Sequence, residues 1–137
     1  MNDIKAGLRS WLQGGTALTA LLGGGTASVY YGEAPRGAAD PYVIYARHDG
    51  GDMTENPERL LDLLFTVKGV SETSAYQAGQ VAAAIDARLH DQVPTISGWV
   101  VWMCVRDTPV DYVVRREDGG REFHDGAIYR VGLYKTD

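Results

Sequence analysis

The chain has a single cysteine, Cys104, among 137 residues. One thiol cannot close an internal disulfide, so a secreted disulfide framework is excluded. Cys104 sits in the apolar run "GWVVWMCV". That setting reads as a small buried hydrophobe, since a reactive thiolate needs an electropositive, accessible site. No apolar run approaches the ~20 residues that span a bilayer. The start "MNDIKAGLRSW" carries Asp3 and lacks the apolar core of a signal peptide. The expectation is a protein made in, and remaining in, a reducing aqueous compartment with no membrane partner. Basic excess is also missing. A net charge of −5 argues against nonspecific binding to a nucleic-acid backbone, which clustered Lys and Arg drive.

Chemical motifs are equally scarce. There is no G-x-x-x-x-G-K-[ST] phosphate loop and no G-x-S-x-G nucleophile elbow. The run Gly23-Gly24-Gly25 lacks dinucleotide-loop spacing and reads as a helix stop. All three histidines precede an aspartate (His48-Asp49, His90-Asp91, His124-Asp125), and imidazole with carboxylate suits several divalent metals. Their placement, after a strand, at a helix end and near a hairpin, reads instead as surface residues. No metal ligand, cofactor or catalytic residue is assigned. A small metal-dependent hydrolase using His48, Asp49, His124 and Asp125 stays as the alternative from another class.

What is present is the pattern of one α+β domain over residues 1–137. Its 45% apolar content is ordinary for a globular chain of a length that buries most of its surface. Residues 3–22 read as an N-terminal helix pair: Ile4, Leu8, Trp11 and Leu12 share a face, with Asn2 or Asp3 as first cap and Thr16 as second. Strands follow at 27–31 and 42–47, with Pro41 fitting only a strand start or an edge. Residues 48–58, "HDGGDMTENPE", read as a polar loop. Residues 64–70 alternate as a strand, and 73–90 form the clearest helix, with Ser74 and Gln77 at capping-box spacing. Strands at 99–106, 110–116 and 122–133 close the chain, the last two joined by the turn formers Asp118-Gly119-Gly120. The expected fold is a mostly antiparallel, mixed sheet of about five or six strands with the long helix on one face. Trp99 and Trp102 fall on opposite faces, as do Tyr30 and Tyr31. The face away from the long helix then needs a cover, either the first helix or a neighbouring subunit.

The order of these motifs resembles the phage tail-completion family, the tail terminators of long-tailed phages and related gene-transfer particles. "ALTALLGGG" leads into "VYYGEAPRGAADPYVIY", similar to that family's short strand, "xAPxG" turn and "PYVxY" strand. "LLFTVKGVS", "SAYQAGQVAAAIDARLHD" and "GREFHDGAIYRVGLY" follow in the family's order. The resemblance implies a non-enzymatic virion protein, assembled in the bacterial host cytoplasm and placed at the head–tail junction. It implies a homo-oligomeric ring, commonly a hexamer, that caps the major tail tube protein and joins a head-side neck or connector protein, with DNA only in transit. A head-side neck or stopper protein is the runner-up. On this reading Asp49, Asp52, Glu55, Glu58 and Arg59 of the polar loop, and Arg115, Arg116, Glu117, Asp118 and Arg121 of the hairpin, are the expected subunit or tube contacts.

Overall fold

Strict alternation of Leu61, Leu63, Phe65 and Val67 with Asp62, Leu64, Thr66 and Lys68 makes one apolar face, and the strand that carries it lies at the centre of the sheet. A computed structural model describes residues 1–52 and 60–136, with the side chains of 49–52 left out. The elements are α1 (Asn2–Gln13), α2 (Thr16–Thr19), β1 (Val29–Tyr31), β2 (Tyr42–Asp52), β3 (Leu60–Ser71), α3 (Ala75–Leu89), β4 (Trp99–Arg115) and β5 (Arg121–Lys135). They form a five-stranded sheet in the order β1-β2-β3-β5-β4. β1 runs parallel to β2 and every other pairing is antiparallel, the expected mixed α+β architecture.

Several boundaries depart from expectation. α1 is capped by Met1 rather than Asn2 or Asp3, and Gly15 rather than Thr16 precedes α2. α2 stops at Thr19, before the three glycines, and Leu21 is exposed. Residues 48–52 belong to β2 rather than a loop. A bulge between Arg47 and Asp49 lets 49–52 pair with Leu61–Leu64 of β3, so a long partner strand recruits a polar stretch. Glu55, Glu58 and Arg59 lie outside the described residues. The expected break at 107–109 is a second bulge, between Arg106 and Thr108, so the two expected strands are one. Pro109 is tolerated because β4 is an edge strand.

α1 and α3 cover the same face. Ile4, Leu8 and Leu12 join Val81, Ile85 and Leu89 over Phe65, Tyr129 and Leu133 in one core. The first helix therefore does not cover the second face. Residues of the β1–β2 connection do so in part: Ala34 and Ala38 pack on Tyr42, Ile44 and Val70. Trp99 packs against the core while Trp102 is exposed on the opposite face. A side chain at Gly132 would strike the Trp102 indole at 2.5 Å, so only glycine lets that ring lie over β5.

A reciprocal clamp holds α1 to α3. Trp11 Nε1 donates to the Arg88 carbonyl at 2.9 Å, and Arg88 Nε donates to the Trp11 carbonyl at 2.7 Å. The guanidinium lies 3.8 Å from the indole centroid. Replacing Arg88 by alanine is expected to cost about 1–2 kcal/mol in urea unfolding, the scale of one stacked cation and one hydrogen bond. Arg88→Lys should recover only a minor part, because an ammonium cannot both stack and reach the carbonyl.

Candidate assembly surface

The β4–β5 hairpin and the β1–β2 connection meet at one end of the sheet. Within the connection, Ala38 N donates to the Pro35 carbonyl at 3.1 Å and closes a turn. Asp40 anchors it: its carboxylate accepts from Glu72 N at 2.6 Å and from Thr73 Oγ1 at 2.8 Å. The hairpin closes through Gly119 N to Arg116 O at 3.0 Å and Arg116 N to Gly120 O at 2.8 Å. Gly119 has φ +87, the left-handed residue that a three-residue hairpin loop requires. Asp118 Oδ1 accepts from Gly120 N at 2.8 Å and fixes the turn.

Between these two loops lies a groove lined by Pro35, Arg36, Tyr42, Glu72, Arg116 and Glu122, among others. Arg116 is its hub. The guanidinium hydrogen-bonds Glu72 and lies 3.4 Å from Asp118, while its buried Nε makes no hydrogen bond. Tyr42 stands against this acid-rich wall. Burial first, then Glu122, Glu72 and Asp40, push its phenol up to about 12, so the hydroxyl stays protonated.

Of the expected contact residues, Arg115, Arg116, Glu117 and Asp118 share this groove. Arg121 sits directly across the ladder from Arg115. Asp49 and Asp52 do not join them. They pair with Leu64 and Leu61, toward the far end of β3, whereas the hairpin leaves the sheet beyond the Ser71–Phe123 pair. Ten residues of strand, roughly 33 Å, separate Leu61 from Ser71. The sheet therefore carries two charged segments at its two ends.

His124 corrects the reading of the histidines as surface residues, for it is buried. Its ring stacks on Tyr112 with centroids 4.6 Å apart, and Nε2 lies 3.2 Å from Glu122 Oε1. Nδ1 is buried without a hydrogen bond. Lys68 Nζ hydrogen-bonds the Tyr112 hydroxyl. The pairing of Tyr112 with His124 across β4 and β5, invisible without the register, is what buries the imidazole. His48 and His90 are exposed, and among the described residues no group of three or more His, Cys, Asp or Glu is placed to hold a metal ion.

Burial and then the Lys68 charge hold the His124 pKa below its ordinary value, against a smaller pull from Glu122. The unfolded chain therefore takes up the proton first, so stability is full above the unfolded pKa near 6.5 and falls as pH drops toward the folded value. Thermal unfolding between pH 7.5 and 5.5 is expected to show that decline. His124→Phe, which keeps a ring against Tyr112 and takes up no proton, should flatten it. An unchanged slope would rule out His124 as its source.

A family model described as tail completion protein gp17 matches residues 6–124. The chain belongs to the tail completion protein gp17 family. The match spans α1 through His124 and so takes in both sides of the groove. No curated protein sequence matches. Among solved structures, a chain of "Virion of native gene transfer agent (GTA) particle" has the same fold as this tail completion protein. The TM-score is 0.63 at 19% identity, over 91% of this chain and 90% of that one. Family and fold agree with the resemblance carried by the "APRGAADPYVIY" stretch, and that stretch forms one wall of the groove.

Proposed function

We propose that this protein is a structural assembly component that forms a ring on the head-proximal end of a phage or gene-transfer-particle tail tube, ends tube growth, and presents the surface that joins the head. The family match over residues 6–124 carries the reading. The separation of Asp49 and Asp52 from the hairpin supports it, since a ring between tube and neck needs two different faces. Copies must meet head to tail for such a ring to close, and a hexamer is the form proposed. The mixed charges of Arg115, Arg116, Glu117, Asp118 and Arg121 suit a register-fixing contact to the next subunit or the tube. The net charge of −5 suits a lumen through which DNA passes without being held. The protein has no catalytic role in this reading.

The test is purified protein mixed with polymerised tail tubes under negative stain. Rings at one end of the tube, with tails of uncontrolled length and unjoined heads when the gene is deleted, are the expected result. Binding to isolated heads with none to tubes would make it a head-side stopper instead.

A further inference from the structure

β4 is an edge strand, and its outer side is covered only in part. Asp91 N donates to the Cys104 carbonyl at 2.8 Å and Arg106 N donates to His90 Nδ1 at 3.0 Å, so the turn after α3 shields the strand up to Arg106. Beyond the bulge the Arg116–Gly120 hydrogen bond fixes the alternation. Even residues 110–116 bond to β5, which leaves the backbone N–H and C=O of Asp111, Val113 and Arg115 facing outward. At the opposite edge the outward carbonyls are taken: Arg9 Nε donates to that of Val29 at 3.2 Å and Glu33 N to that of Tyr31 at 2.9 Å. Tyr112, Val113 and Val114 are 40, 53 and 38% exposed, an apolar β-forming run at an open edge.

The charges on this run are opposed within the chain. Asp111 lies directly across from Asp125, and Arg115 directly across from Arg121. Like charges opposite one another in a ladder are destabilising. Burial and Asp111 both push the Asp125 carboxyl up, which is the mark of that crowding. Among the described residues no acid pairs with Arg115 or Arg121.

We propose that two copies of this chain pair antiparallel along residues 111–115 of β4, with Val113 facing the partner's Val113. In that register Asp111 faces the partner's Arg115, and Arg115 faces the partner's Asp111. Each row across the joined sheet then reads Asp125, Asp111, the partner's Arg115, the partner's Arg121, so every repulsive pair gains an opposite charge. The central row is apolar, Phe123 and Val113 against the same pair from the partner. On the other face Tyr112 meets the partner's Val114, an aromatic–β-branched pair. The contact is two-fold and closes after two copies. It occupies Arg115 and Arg121, which the ring reading sets against the next subunit or the tube, so it is a form of the free protein that opens before a ring closes.

Sedimentation equilibrium over a concentration series tests it. The unaltered chain is expected to be dimeric, with D111K or R115E alone weakening the dimer roughly tenfold, the sum of two unfavourable rows. The double variant D111K/R115E should restore it, because both rows then alternate in sign throughout. Val113→Cys places two thiols about 5.5 Å apart at Cα, within disulfide reach. It should give a covalent dimer on a non-reducing gel, whereas Val93→Cys, at a 62% exposed site, should not. Cys104 is buried and does not contribute. A monomer at all concentrations without Val113→Cys dimer, or an oligomer of any size indifferent to these variants, overturns the pairing. A hexamer of that indifferent kind leaves the ring reading standing.

Discussion

Tyr129→Ala is expected to lower unfolding stability by about 3–5 kcal/mol, the range for removing a large buried aromatic. Tyr129 is the largest fully buried side chain, 1% exposed. It stands on β5 between Phe65 of β3 and Arg106 of β4, on the face that α3 covers. Its hydroxyl donates to Asp86 Oδ1 of α3 at 2.9 Å, so one residue both fills the sheet–helix interface and bolts it. Burial, reinforced by Asp86, pushes the phenol far above its ordinary value, which keeps the donor protonated at neutral pH. Tyr129→Phe separates the two contributions. It keeps the ring, leaves Asp86 to solvent, and should cost only about 1 kcal/mol. Urea unfolding followed by tryptophan fluorescence measures both. A Tyr129→Ala loss no larger than that of Tyr129→Phe would mean the site collapses around the missing ring and is not the centre of the core.

What could be read from sequence follows the strength of the local pattern. β3 alternates from Leu60 to Gly69, and α3 has one apolar face with a working cap: Ser74 Oγ accepts from Gln77 N at 3.1 Å. The capping box is completed indirectly. Gln77 Oε1 accepts from Ser71 Oγ at 2.5 Å, and Ser71 Oγ in turn receives Ser74 N at 3.2 Å. Tertiary pairing decided the rest. Residues 49–52 lack apolar content yet extend β2 because β3 offers four more ladder positions. Residues 107–109 look like a break, with Asp107 and Pro109, but a bulge absorbs the extra residue and the ladder to β5 continues. Which face α1 would cover depends on the path of residues 14–28, and no periodicity encodes that path. Of the expected contact residues, those of the hairpin came together because they are local in sequence. The groove needed Tyr42 and Glu72 from elsewhere, and only the folded chain supplies them.

Reversing Arg115 and Arg116 to glutamate is expected to abolish tail capping while leaving the fold in place. Arg116 is only partly buried, and its pairs with Glu72 and Asp118 are of the exposed kind, worth at most about 1 kcal/mol each. Arg115 contributes nothing to the core, since its side chain is exposed and no acid among the described residues binds it. Stability should therefore fall by about 1 kcal/mol, a few degrees in melting temperature for a chain of this length. The surface changes far more. The groove wall would then present Glu72, Glu122, Asp118 and a new glutamate at 116 together, and a contact built on complementary charge loses its attraction and gains repulsion. The single variants divide the outcome. Arg116→Glu acts on the hub of the groove between the hairpin and the Ala34–Ala38 turn, whereas Arg115→Glu acts on the groove's margin and on the open edge of β4 together. Tail lengths and head joining measured by electron microscopy on particles carrying each variant give the answer. Normal lengths and normal joining with both arginines reversed would remove the hairpin from the assembly surface, whatever the rest of the molecule does.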